Sequence, residues 1–187
     1  MEYPLQVSFK IVTLASKFSV TDRDGNVVFF VKQKMFKLKE AIKVFTDESL
    51  ANQLYTINAD RIIDFSARYN FTDIGGQNLG SIKRKGRRSL WRAHYEINDP
   101  PTMTITEESV FVRFMDALVP DICSKFLFHP SYIISRLDGT ELMRVKKLAS
   151  LFEGKFKIEK LAEMSDFEEI QILLGIMMML LLERIRG

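Results

Sequence analysis

The densest concentration of one chemical type in the chain is a run of basic residues. The stretch 77–95 contains no acidic residue and carries six basic ones. These six residues, here called the basic run, are Lys83, Arg84, Lys85, Arg87, Arg88 and Arg92. Arginine can hold phosphate oxygens with two parallel hydrogen bonds, and clusters of lysine and arginine are attracted to anionic lipids. The run therefore predicts an anion-binding site whose partner is an anionic phospholipid or membrane surface, with nucleic acid as the alternative.

The basic run also has an interpretation that involves no ligand. Charged side chains at a strand edge prevent pairing with other chains, and a charged turn keeps a β protein soluble. Trp91 alternates in phase with Ala93, Tyr95 and Ile97, which predicts that it lies in the core and does not anchor the protein in a membrane or stack on a base. Both interpretations of the basic run stay open at the level of the sequence.

Residues that could support catalysis or metal binding lack the spacing that such chemistry requires. His94 and His129 are the only histidines, and no cysteine or carboxylate stands at ligand spacing from them. Glu107 and Glu108 are adjacent, so in a strand they would point to opposite faces, and a hairpin turn is the favoured interpretation. We predict no catalytic residue, no metal site and no cofactor, and the expected function is a non-enzymatic binding or adaptor module.

The net charge is informative only when the distribution of charged residues along the chain is considered. The 187 residues include 27 Lys and Arg against 24 Asp and Glu, which gives a formal net charge of +3. If the basic run is set aside, 21 basic residues face 24 acidic ones, so the positive excess belongs to that run. The length corresponds to one domain, 1–187, with an apolar core of its own.

Cysteine usage and the first residues indicate a cellular compartment. Cys123 is the single cysteine, which excludes an internal disulfide and favours a reducing environment. The first residues, Met-Glu-Tyr-Pro-Leu-Gln, show no secretory signal. We therefore expect a cytoplasmic protein, with peripheral membrane association if the basic run binds lipid.

An internal sequence repeat predicts the secondary-structure elements that position these residues. Three segments align without gaps: 19–34, 70–85 and 133–148. Their glycines Gly25, Gly76 and Gly139 coincide, and glycine accepts the positive φ that tight hairpin turns require. Apolar and polar residues alternate around each glycine, as they do in half-buried strands. The repeat predicts three β-hairpins, the second of which contains the start of the basic run.

Several further segments have the composition of short strands. They are 6–15, 36–45, 53–58, 61–69, 89–97, 102–106, 110–114 and 155–161. About a dozen short strands without amphipathic helices between them are typical of antiparallel sandwiches and barrels. The sequence therefore predicts an antiparallel β protein up to residue 164.

The last segment, 165–187, has a different character. Ser165 and Glu168 form a capping-box pattern, which predicts a helix that begins there. The part 170–182 carries no charge and is apolar on every face, so something must surround it. Thirteen residues of helix cover about 20 Å, less than the roughly 30 Å of a bilayer core. We therefore predict a helix buried within the protein, with Gly175 marking the close approach of another backbone or a ring.

Together these features resemble the LURP-one-related family of the tubby C-terminal-like superfamily. The resemblance lies in the three hairpins, the segment 89–97 (SLWRAHYEI) and the apolar helix that ends in LERIRG, and it covers nearly the whole chain. It implies a closed antiparallel barrel of about twelve strands around a buried C-terminal helix, which is also the fold class that the residues predict. Tubby-like domains bind phosphoinositides and the related scramblases act at membranes, but no segment here matches the tubby head-group site.

Overall fold

The computed structural model describes residues 1–10, 15–34, 41–61, 67–85, 93–108, 131–148 and 153–186. Several sequence predictions fall outside these residues. They concern the strand 110–114, parts of the predicted strands 6–15, 36–45, 61–69 and 89–97, and the side chains of Trp91, Cys123, His129, Arg87, Arg88 and Arg92. The description below refers to the remaining residues.

The described residues form a closed antiparallel barrel of twelve strands and one helix, which confirms the predicted fold class. The strands are β1 (Leu5–Lys10), β2 (Ala15–Thr21), β3 (Val27–Lys34), β4 (Ile42–Phe45), β5 (Gln53–Ala59), β6 (Arg68–Asp73), β7 (Asn78–Arg84), β8 (His94–Ile97), β9 (Met103–Glu107), β10 (Ser131–Arg136), β11 (Glu141–Leu148) and β12 (Glu153–Lys160). The helix is α1 (Asp166–Arg186). Each strand pairs with its neighbour in the chain, and β12 closes the barrel against β1.

The alternation of side chains along the strands separates a dry interior from a wet exterior. On β8, Tyr95 and Ile97 are fully buried, whereas His94 and Glu96 lie on the outer face at intermediate exposure. This confirms the predicted inward phase of Ala93, Tyr95 and Ile97. On β6, Tyr69 is buried in the same way. The core is thus the lumen of the barrel.

The three predicted hairpins are present and share one backbone geometry. They are β2–β3, β6–β7 and β10–β11, and their glycines have φ of 87°, 81° and 91°. In each turn the glycine N–H donates to the carbonyl three residues earlier, at 3.0–3.1 Å. Each hairpin also contains a β-bulge at the same position of the repeat, after Val20, Phe71 and Ile134. Because equivalent hairpins recur every four strands in a barrel of twelve, the repeat gives the barrel an approximate threefold arrangement.

Some strand boundaries differ from the sequence prediction. The predicted strand 6–15 is divided, since β1 ends at Lys10 and β2 begins at Ala15. In the predicted strand 61–69, positions 62–66 lie outside the described residues, and β6 starts at Arg68. Asp60 closes this connection, because its N–H donates to the Arg68 carbonyl at 2.8 Å and its carboxylate accepts the Arg68 N–H at 3.0 Å. Glu107 was expected in a turn and is the last residue of β9. Composition predicts which residues form strands. It does not predict the strand boundaries, because these depend on local polar contacts at which the chain reverses.

The helix α1 begins with the predicted capping box. The Glu168 N–H donates to Ser165 Oγ at 3.2 Å, and the Ser165 N–H donates to Glu168 Oε2 at 3.2 Å. These two bonds satisfy backbone groups that the first helical turn leaves without partners. Asp166 and Glu169 add negative charge at the positive end of the helix dipole. The start of α1 is therefore fixed by its own sequence.

Burial on all sides shows that α1 lies inside the barrel. Every residue from Gln171 to Leu181 is buried. A barrel of twelve strands is wider than the eight-strand barrels whose lumen is filled by strand side chains, and a helix with its side chains has a diameter of about 10–12 Å. A Cβ at Gly175 would meet the Ile97 side chain at 3.2 Å, so the close neighbour is an aliphatic side chain and not the predicted backbone or ring. No helix in the described part of the chain is long and apolar enough to span a membrane.

The enclosure of α1 predicts a large penalty for shortening one of its side chains. Leu174 is fully buried, and Leu174→Ala is expected to lower the free energy of unfolding by about 2–5 kcal/mol, because it leaves a cavity in the lumen. Leu161→Ala is the matched control, since this side chain is 41% exposed. Urea denaturation followed by circular dichroism measures both values. Equal losses for the two variants would contradict a helix enclosed by the barrel.

Candidate functional site

The two ends of the barrel are different. The three glycine hairpins and the start of α1 lie at one end, here called the turn end, where Arg136 beside the third hairpin bonds to Glu168 of α1. The helix ends at the opposite end, here called the far end, where Glu183 accepts a hydrogen bond from Tyr95. Because α1 crosses the whole lumen, its two ends define the direction of the barrel axis.

Charge is divided between these two ends. Outward basic side chains in the strand halves and connections near the far end are Lys17, Lys32, Lys43, Arg61, Arg68, Lys83, Lys85, Lys146, Lys147 and Lys155. Two of them, Lys17 and Arg68, form ion pairs with Glu48 and Asp99 of the turn end. The described acidic residues of that half are Asp60, Glu96, Glu107 and Glu108 together with Glu183 of α1. Outward acidic side chains near the turn end are Glu2, Asp22, Asp24, Asp47, Glu48, Asp73, Asp99, Asp138, Glu141, Glu159, Glu163 and Asp166. The basic residues there are Arg23, Arg136, Arg144, Lys157 and Lys160. The far end is thus predominantly basic and the turn end predominantly acidic.

The basic run begins on β7 at the far end, and its three described members do not share one surface. Lys83 lies on the outer face opposite Glu96 of β8, and the exposed Lys85 forms an ion pair with the same carboxylate. Arg84 points into the lumen, and its side chain is only 7% exposed. The structure therefore places Lys83 and Lys85 where a ligand could reach them and separates Arg84 from them.

Arg84 belongs to a buried polar cluster that joins α1 to the barrel wall. Its guanidinium lies 3.6 Å from Glu183 and 5.8 Å from the centre of the Tyr95 ring. The Tyr95 hydroxyl donates to the same Glu183 carboxylate. Burial raises the pKa of Tyr95, and the hydrogen bond to Glu183 raises it further, so the hydroxyl remains a donor. A buried charge of this kind needs a close opposite charge, and we assign Arg84 a structural role.

The position of Arg84 could have been found in the sequence. Ile82 stands two residues earlier and aligns with Val31 and Val145 of the other repeats, all three of which are fully buried. Because side chains alternate along a strand, Arg84 shares the inward face of Ile82. The number of basic residues in the run does not by itself reveal that Arg84 points inward, because such a count treats every basic residue as exposed.

A polar pocket of about 290 Å³ lies on the outer face of the barrel beside β6, β7 and the β8–β9 connection. Its lining residues are Arg68, Asn70, Asn78, Gly80, Ser81, Asn98 and Asp99. Arg68 and Asp99 form an ion pair across it. The carboxamides and this ion pair offer hydrogen-bond donors and acceptors, so the pocket can hold a small polar molecule.

Gly80 shapes this pocket and opens the barrel wall to α1. Its φ is +119°, and a Cβ there would meet Asn98 Oδ1 at 2.2 Å and Gln171 Nε2 at 2.8 Å. Gln171 is the one strongly polar side chain in the apolar part of α1, and its Nε2 donates to the Leu79 carbonyl at 2.6 Å. Because Gly80 has no side chain, Gln171 of the helix can approach the pocket residue Asn98. The sequence held one signal, a glycine where the other repeats carry Phe29 and Met143.

The remaining candidates from the sequence have structural partners. Glu107 accepts the Ala93 N–H at 3.1 Å, and the Glu108 carboxylate accepts the hydroxyl of Ser131. In the first hairpin, where acidic residues are close together in the chain, Asp22 accepts the N–H groups of Asp24 and Asn26 at 3.0 and 2.8 Å and so stabilises the turn. Among the residues that the structure describes, no group of three His, Cys, Asp or Glu could hold a metal ion.

Comparison with protein-family models identifies the group to which the chain belongs. The model described as LURP-one-related matches residues 27–123, just over half of the chain. The chain belongs to this family, which lies in the tubby-like barrel superfamily, and the twelve-strand barrel is consistent with that membership. Comparisons with curated proteins and with solved structures gave no match. Membership favours a tubby-like barrel that acts as a binding module.

The opening at Gly80 predicts an unusually costly glycine substitution. Gly25→Ala, where nothing lies within 4 Å of the added Cβ, is expected to lose about 1 kcal/mol of unfolding free energy, because alanine disfavours a positive φ. Gly80→Ala adds a collision with Asn98 and Gln171 and is expected to lose at least about 1 kcal/mol more. Chemical denaturation compares the two variants. Equal losses would show that Asn98 and Gln171 do not meet across Gly80.

Proposed function

We propose that the chain is a non-enzymatic binding module that attaches its far end to anionic phospholipid surfaces. The observation that carries the proposal is the division of charge along the barrel axis, with basic side chains concentrated near the far end. Membership of a tubby-like barrel family supports a binding module of this kind. The proposed site comprises Lys83 on β7, Lys85 directly after this strand, and the basic residues of the neighbouring rim.

The distribution of the basic residues around the barrel favours a flat partner. Lys17 and Lys32 lie on β2 and β3, Lys146 and Lys155 lie on β11 and β12, and Lys83 lies on β7. In the strand order of the closed barrel, β7 is on the opposite side from β1, β2 and β12. A membrane surface that meets the barrel end-on can attract all these charges at once, whereas a nucleic acid strand follows one groove or patch.

The remaining members of the basic run strengthen this site at the level of sequence. Arg87, Arg88 and Arg92 lie outside the described residues, and the first two follow Lys85 after a single glycine. Each lysine or arginine near an anionic membrane contributes about 1 kcal/mol of attraction. The cytoplasmic leaflet carries anionic lipids, and the proposal therefore places the protein at that surface as a peripheral protein.

Vesicle sedimentation tests the proposal. The chain is expected to bind vesicles of phosphatidylcholine with phosphatidylserine, not vesicles of phosphatidylcholine alone, and binding should weaken as salt screens the charges. The double variant K83E/K85E should bind at least tenfold more weakly, and adding R87E and R88E should weaken binding further. The matched control R23E/K160E changes two basic residues at the turn end and should bind as the unmodified chain does.

Two outcomes would contradict this proposal. Unchanged binding of K83E/K85E and of the quadruple variant would remove the basic run from the site. If the chain binds DNA or RNA but not anionic vesicles, and log affinity falls linearly with log salt, nucleic acid replaces phospholipid as the partner. Arg84 is left intact in every variant, because its buried ion pair with Glu183 supports the fold.

A further inference from the structure

Large apolar side chains are exposed at the turn end. Ile74 and Leu137 lie at the tips of the second and third hairpins, 74% and 63% exposed. Phe167 in the first turn of α1 is 47% exposed, and Leu161 after β12 is 41% exposed. These four residues are here called the turn-end patch. Near the far end, Leu148 at 37% is the exposed large apolar residue of the described strands.

The fold does not require apolar residues at the two hairpin tips. Ile74 and Leu137 occupy the same position of the repeat, and the first hairpin carries Arg23 there. All three turns form the same glycine hydrogen bond at nearly the same length. An arginine is therefore compatible with this turn. A partner that covers this isoleucine and this leucine would gain free energy from removing their apolar surface from water.

Polar contacts hold most of the patch together. Arg136 Nε and Nη2 donate to the two Glu168 carboxylate oxygens, each at 3.0 Å, and so fasten the third hairpin to the start of α1. Leu137 follows Arg136 and Phe167 precedes Glu168 in the chain. The Leu161 N–H donates to the Leu142 carbonyl of the same hairpin at 2.9 Å. Leu137, Leu161 and Phe167 therefore come from segments that are bonded to one another.

Acidic residues surround the patch and define the charge of its partner. They are Asp24, Asp73, Asp99, Asp138, Glu141, Glu163 and Asp166. An anionic membrane would be repelled by this rim. A second copy would have to offer its basic far end, where the described strands expose little apolar surface to cover the patch. A partner that fits must combine apolar side chains with lysine or arginine.

We propose that the turn end docks a basic amphipathic helix of a partner protein. Four strand spacings separate the second and third hairpins in the sheet, which corresponds to about 19 Å around the barrel wall. A helix of about 13 residues spans this distance and can place apolar residues on Ile74 and Leu137 while its basic residues face the acidic rim. This surface lies at the end opposite the proposed lipid site, so the barrel would connect a basic protein segment to an anionic membrane.

Fluorescence anisotropy with two synthetic peptides tests the docking surface. The probe is a labelled 14-residue helix of leucine and lysine with one apolar face, and the comparison peptide replaces every lysine by glutamate. The full chain is expected to bind the lysine peptide at least tenfold more tightly than the glutamate peptide. The variant I74R/L137R, which copies the residue of the first hairpin, should lose at least tenfold in affinity. L148R, at the far end, should bind like the unmodified chain.

The outcomes separate this proposal from the one on lipid binding. The I74R/L137R variant should melt at the temperature of the unmodified chain and sediment normally with anionic vesicles, so a general loss of folding would be detected. Equal binding of both peptides, or full affinity in I74R/L137R, would overturn the docking proposal. Self-association of the unmodified chain that I74R/L137R abolishes would also overturn it, because a second copy would then be the occupant.

Discussion

The structure depends on the mutual enclosure of one apolar helix and one wide barrel. Helix α1 is buried throughout Gln171–Leu181, and a lumen of twelve strands would be underfilled without it. Polar contacts fix the helix along its length. Arg136 binds Glu168 at the turn end, and Glu183 meets Arg84 and Tyr95 at the far end. The apolar contacts fill the lumen, while these polar contacts set the position of the helix within it.

The sequence predicts those features that depend on local patterns. Glycine turns, strand alternation and the capping box of Ser165 are each encoded within a few residues, and all are present in the structure. Features that depend on distant partners were less predictable. Arg84 counts as surface charge until its inward phase and the carboxylate of Glu183 are known. The polar pocket needed Gly80 and Asn98 together, and only the fold brings these residues into contact.

A repeated backbone carries different side chains at equivalent positions, and these differences locate function. Position five of the repeat is Arg23 in one hairpin, Ile74 in the next and Leu137 in the third, although the turns are alike. Side chains that vary on a constant backbone are free to serve recognition. All three hairpins lie at the turn end, so the differences between them are concentrated there. The basic ends of the strands lie at the far end. The barrel thus separates two binding surfaces by the length of its internal helix.

Hydrogen exchange on membrane-bound protein tests the central claim that charge orients the barrel with its far end toward an anionic surface. Phosphatidylserine vesicles are predicted to slow exchange in 83–85 and 146–148, at the far ends of β7 and β11. Exchange in the three turns, 22–26, 73–77 and 136–140, should stay as in solution. Protection of the turns with unchanged exchange at the far end would contradict the account, because the acidic end would then face the membrane.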